Sequence, residues 1–158
     1  MKKIDEYEIG TNTLAIIPLN ENTSKVCEED DEYIVTKSSN SIIKENCEFY
    51  GSSYEGRCTG TKYLTGIKSK TPIIIEESRN IIFFPTTSTR SKQSTWIALN
   101  KIKHYHPSDD KNGEIIFKNN IILPLDISFY SLDNQICRAS ILKSKLYEIK
   151  HEDPNLEN

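Results

Sequence analysis

FYGSSYEGRCTGTKYLTG, residues 49–66, holds four of the six glycines of a 158-residue chain: Gly51, Gly56, Gly60 and Gly66. Glycine is used where a backbone must take positive φ or come close to another group. If these glycines mark tight turns, the stretch reads as two short strands, CEFYG at 47–51 and KYLTGI at 62–67, with Gly51, Gly56 and Gly60 as hinges. The same glycines also suit a backbone that brings Arg57 and Thr61 close to phosphates. Both uses stay open on these residues alone, and Arg57 separates them.

The sequence on either side reads mainly as strand. Short apolar segments recur between turn signals: LAIIPL (14–19), EYIVT (32–36), TPIIIEE (71–77), NIIFFP (80–85), TWIALNKI (95–102), EIIFK (114–118) and NIILPL (120–125). Their length and their β-branched and aromatic content favour strands over helix. ESRN at 77–80 and Asn119-Asn120 read as hairpin turns, because asparagine tolerates the positive φ a tight turn needs. SDDKNG at 108–113 reads as a loop between strands. Toward the C-terminus the period changes. Phe129, Leu132, Ile136, Ala139, Leu142, Leu146 and Ile149 recur at helical steps, with Ser128 or Ser131 as N-cap and Lys143, Lys145 and Lys150 near the negative end of the helix dipole. The expected architecture is α+β and mostly β: an antiparallel, barrel-like sheet closed by one C-terminal amphipathic helix. Residues 1–150 are expected to form a single domain, and 151–158 a short acidic tail that frays. Neither internal repeats nor a linker interrupts it.

Several functional classes lose support. No apolar run approaches the roughly 18–20 residues of a membrane span, and the N-terminal MKKIDEYEIG lacks a signal-peptide core, so a cytoplasmic location is expected. Cys27, Cys47, Cys58 and Cys137 form no CxxC pair and match no zinc spacing, which favours free thiols over a metal site or redox switch. His104 and His106 alternate at a strand end and share a face, but a third metal ligand is not evident, Asp109 and Asp110 lying in a loop. GSSYEG does not follow the G-x-S-x-G spacing, and no GxxxxGK[ST] or GxGxxG occurs. Neither an enzyme nor a cofactor is expected.

Charge is informative in its distribution. The net charge is −3, yet residues 51–105 carry nine basic side chains against three acidic, a local excess of +6. Residues 1–50 carry 5 basic and 11 acidic, with EEDDE at 28–32 the densest run. A basic block in an acidic chain is either a solvated face or a polyanion-binding face. Within it lies TTSTRSKQSTW, residues 86–96, whose hydroxyls together with Arg90 and Lys92 are the mix that holds phosphates. A flexible arginine also suits a narrow minor groove. Trp96, which starts the apolar WIAL, is expected in the core. With only one convincing helix, no helix-turn-helix pair is expected.

FYGSSYEGRCTGT (49–61), KSKTPIII (68–75), FFPTTSTRSKQSTWIALNKI (83–102) and LDNQICRASILKSKL (132–146) resemble, in this order and at similar spacing, the ComK family of bacterial competence transcription factors. The resemblance covers roughly residues 47–147. It implies sequence-specific binding of double-stranded A/T-rich promoter boxes, mainly through the minor groove, and activation of DNA-uptake (transformation) genes in the cytoplasm at the nucleoid. It further implies a homo-oligomer, a dimer or tetramer, and capture by an adaptor that delivers family members to a Clp protease. The residues expected to contact DNA are Arg57, Lys62, Arg90, Lys92, Lys101 and Lys103. Family members typically continue through a basic and apolar C-terminal segment where this sequence ends at Asn158, which suggests a short, C-terminally truncated member or paralogue. The competing expectation is an accessory module that forms mixed oligomers with a longer relative without itself activating transcription.

Overall fold

A computed structural model of the protein describes residues 1–90 and 92–152, so most of the expected acidic tail lies outside the described residues. The elements run β1 (Lys2–Ile4), β2 (Thr13–Asn20), β3 (Thr23–Glu28), β4 (Glu32–Val35), α1 (Ser39–Phe49), α2 (Tyr54–Thr65), β5 (Ile73–Glu76), β6 (Ile81–Pro85), β7 (Trp96–Ala98), β8 (Ile102–Pro107), β9 (Asn112–Phe117), β10 (Ile122–Ser128) and α3 (Phe129–Lys150), with a 3-10 turn at Leu99–Lys101. Seven strands form one sheet in the order β1-β4-β3-β2-β7-β6-β5, and β10-β9-β8 form a second. All neighbours pair antiparallel except β1 with β4.

The apolar runs without alternation, IIIE and IIFFP, have a simple cause. A strand covered on both faces needs apolar side chains at every position. Ile73, Ile75, Ile81, Phe83, Trp96 and Ala98 point to one core, with Ile42, Ile43 and Cys47 of α1. Ile74, Ile82, Phe84 and Ile97 point to the other, with Leu132, Ile136, Ala139, Leu142 and Leu146 of α3 and Ile115 and Phe117 of β9. The molecule is therefore layered, with α1 on one face of an open sheet and α3 plus the small sheet on the other. Helix α2 lies by β5 and reaches both cores, Tyr54 and Cys58 packing against the first and Leu64 against the second. The expected mixed fold, mostly strand and ending in an amphipathic helix, is present; the barrel-like closure is not. Closure would strip the central strands of one of their two covers.

Residues 39–66 correct the sequence reading. CEFYG and KYLTGI, expected as strands, lie in or at the ends of α1 and α2. Ser38 and Ser53 cap them, accepting hydrogen bonds from the backbone N–H of Ser41 and Gly56. Gly56 and Gly60 sit inside α2 rather than in turns, and Gly66 ends the helix at φ 80°. The expected hairpin turns do form, with Asn80 at φ 55° and Asn120 at φ 70°. Gly113 permits a close approach: a Cβ there would lie 2.6 Å from Leu132 Cδ2 of α3. The stripe on α3 is buried from Leu132 to Leu146, while Ile149 is exposed; Ser128 is its cap. No helix among the described residues is long and apolar enough to cross a membrane. Cys27 and Cys47 are buried, Cys58 is half-buried and Cys137 exposed, all as free thiols. Burial pushes the Cys47 thiol up to about 12, an inert state for a nucleophile.

Candidate nucleic-acid interface

The loop at 86–95 joins β6 to β7, and its neck closes on itself. Thr86 N donates to Thr95 O at 2.9 Å, and Ser94 Oγ accepts from the N–H groups of Thr86 (3.0 Å) and Thr87 (3.2 Å). Ser88 Oγ accepts from Arg90 N at 3.4 Å. These hydroxyls satisfy the loop's own backbone, a use the composition alone did not separate from phosphate binding.

The first turn of α1 grips the loop from the side. Ser39 Oγ donates to Ser94 O at 2.6 Å. Asn40 is the hub: Nδ2 donates to Thr89 O (3.4 Å) and Lys92 O (3.2 Å), and Oδ1 accepts from Ser94 N (3.3 Å) and Trp96 Nε1 (2.9 Å). The Asn40 N–H also donates to Gln93 Oε1 at 3.0 Å. Trp96 is fully buried, as expected, and a buried indole N–H needs such an acceptor. From α2, Tyr54 Oη lies 3.3 Å from Thr89 Oγ1. Sequence reasoning missed Asn40 because it missed α1; the indole donor's need for a partner was the available signal.

The other root of the loop is fixed by α3. Gln135, 1% exposed, donates through Nε2 to Pro85 O (2.7 Å) and Lys70 O (3.0 Å). Arg138 donates to Gln135 Oε1 and, at 2.5 Å, to Ser69 O. Burial pulls the Arg138 pKa down. The NQ-x-x-R block of the sequence is thus a clamp on the strand that leads into the loop.

On this rigid base Arg90 and Lys92 are exposed, and neither has a carboxylate within ion-pair distance among the described residues. With Thr89 and Gln93 they form one wall of a hollow of about 460 Å³, faced by Pro18, Leu19, Asn20 and Glu21.

The other four expected DNA-binding residues lie elsewhere. Lys101 and Lys103 follow β7, at the opposite end of the β6–β7 hairpin from the loop. Lys101 Nζ is bound to Glu29 Oε1 at 2.5 Å, and Lys103 Nζ donates to Asn120 Oδ1 at 3.1 Å. Lys62 is exposed in the last turn of α2. The Arg57 side chain is only 17% exposed, lies 3.6 Å from Glu77 Oε1, and has a buried Nε without a partner. His104 and His106 have ring centroids 6.2 Å apart, and His106 Nε2 meets Glu114 Oε1 at 2.9 Å. Among the described residues no group of three His, Cys, Asp or Glu side chains is arranged to hold a metal.

The ComK protein family matches this chain over residues 4–150. The chain is similar to the competence transcription factor of Bacillus subtilis (strain 168), at 33% identity over 156 residues, which cover 96% of this chain and 81% of that relative. No solved structure gives a significant match. With the family pattern spanning nearly every element described above, the chain belongs to the ComK family.

Proposed function

We propose that this chain is a DNA-binding transcription regulator of competence genes, acting in the cytoplasm at the nucleoid on A/T-rich promoter boxes. Residues 1–150 act as one DNA-binding unit. Arg90 enters the minor groove and Lys92 holds an adjacent phosphate, with Lys62 and Lys103 as outlying partners of the DNA backbone. Arg57 and Lys101 join only by exchanging Glu77 and Glu29 for phosphate. The observation that carries this reading is the loop at 86–95, held at both roots with two uncompensated cations on its outer side. Preorganisation lowers the entropy cost of docking. The Bacillus subtilis relative is a competence transcription factor, and neither catalysis nor a cofactor enters the proposal.

A second reading, an accessory module in mixed oligomers, is favoured by the outer side of α3, where Tyr130 is 81% and Tyr147 60% exposed. Homo-oligomers and capture by a protease adaptor belong with that surface.

Gel-shift titration on A/T-box duplexes separates the readings. Arg90→Ala should leave the melting temperature nearly unchanged, as surface substitutions usually stay within about 0.5 kcal/mol, and weaken box binding. Arg90→Lys should restore part of it, because a hydrated ammonium fits a narrow groove less well. Wild type that fails to shift the duplex, yet retains a longer relative on a column, would select the module instead.

A further inference from the structure

Between β8 and α3 lies a second concavity, of about 390 Å³, distinct from the hollow beside Arg90. Lys103, His104, Lys118 and Lys143 line it together with the Ser140 hydroxyl, over a floor that includes Ile136. No aspartate or glutamate is among its lining residues, although the chain has 23 acidic side chains against 20 basic. None of the three lysines has a carboxylate within ion-pair distance among the described residues, and all three are exposed. Lys101, close by in sequence, is neutralised by Glu29, and Tyr105, which also lines the cleft, donates through Oη to Asp133 at 2.7 Å. The neighbouring Lys101 is thus compensated while the lysines of the cleft are not.

Like charges converging on one concavity repel, and a cleft with low-dielectric walls focuses their potential and concentrates anions. We infer that this cleft is a second phosphate-binding site, taking backbone phosphates of duplex DNA independently of the Arg90 loop; the inference rests on the DNA-binding reading above. The cleft is open to solvent, as suits a continuous backbone that offers a negative charge about every 1.7 Å of duplex axis. Lysine suits this role, being a point charge for phosphate without the planar fork that reads bases. The Arg90 loop and the cleft lie at opposite ends of β6 and β7, so one selects sequence while the other adds sequence-independent affinity.

The test measures duplex binding across a salt series for wild type, Lys118→Ala/Lys143→Ala, Lys118→Arg/Lys143→Arg and Arg90→Ala. The double alanine variant should lower the slope of log K against log salt by about 1.8, which is about 0.9 for each phosphate no longer neutralised. It should weaken box and scrambled duplexes equally at an unchanged melting temperature, and the double arginine variant should bind like wild type. Arg90→Ala should instead narrow the ratio between box and scrambled duplex. An unchanged slope in the double alanine variant, with Arg90→Ala still defective, overturns the cleft and leaves the DNA-binding reading standing. A loss seen with poly-glutamate but not with duplex also overturns it, in favour of an acidic protein partner. Wild type that binds no duplex overturns both.

Discussion

Asn40 ties the buried core to the exposed loop through a single amide. Its Oδ1 satisfies the buried Trp96 indole, and its Nδ2 holds the carbonyls of Thr89 and Lys92 on either side of Arg90. Asn40→Ala leaves the indole N–H without an acceptor, which costs about 1–3 kcal/mol. It also frees the loop, so box binding should fall even at temperatures where the variant is fully folded. Asn40→Asp keeps the indole's acceptor but sets a carboxylate oxygen against the carbonyls of Thr89 and Lys92; it should recover only part of the thermal stability and little of the DNA affinity. Melting curves run beside gel shifts check both statements. Asn40 was not legible in the sequence, because its partners lie some fifty residues away. What was legible at Arg90 is its exposure, since a cation among small polar residues has no carboxylate nearby in sequence to pair with.

Among the elements, the strands were readable and α1 and α2 were not. Strands β5 and β6 announce themselves through unbroken Ile and Phe runs, and β7 through the fully apolar WIA, which a sheet covered on both sides accommodates. Helix α2 buries a single residue completely, Thr61, whose hydroxyl donates to Pro72 O at 2.8 Å. Such a helix has no apolar stripe to read, and two internal glycines lower its propensity further. Its sign was the cap, Ser53, placed three residues before Gly56. Gly60 in α2 and Gly113 in β9 give opposite expectations. A Cβ at Gly60 would meet nothing within 4 Å, so Gly60→Ala should raise stability by roughly 0.5–1 kcal/mol. Unchanged duplex affinity in that variant would show that the α2 backbone does not approach DNA there, which answers the question raised by the glycines of residues 49–66. Gly113→Ala drives a methyl into Leu132 and should destabilise by about 1–3 kcal/mol. Urea unfolding of both variants measures the contrast.

At the scale of the whole molecule, one carboxylate joins a turn of the sheet to the helical layer. Glu76 accepts from Ser78 N and Oγ and from Arg79 N and Nε. Arg79 continues to Tyr50 Oη at 3.1 Å, which itself donates to Ile9 O at 2.7 Å, reaching the end of α1 and the N-terminal segment. Partial burial pushes the Glu76 carboxyl up, but the hydrogen bonds from Ser78 and Arg79 outweigh it and hold the pKa at about 2, below its ordinary 4.5. A pKa depressed in the folded state stabilises fully above the unfolded value, and the contribution fades as pH falls through the folded one. The stability difference between wild type and Glu76→Gln should therefore be constant above about pH 4.5 and vanish toward pH 2, as chemical denaturation across that range would record. The large sheet also has a seam. β1–β4 and β5–β7 are each built from near neighbours in sequence, apart from β1, and the two groups meet only where Ala15 and Ile16 pair with Ile97 and Trp96. Bringing these residues together closes a loop of some eighty residues, and the entropy of that closure must be met before the pairing returns anything. Joining the two halves is thus the slow event expected in folding, and the chain's single tryptophan stands on the seam, where its emission can time it.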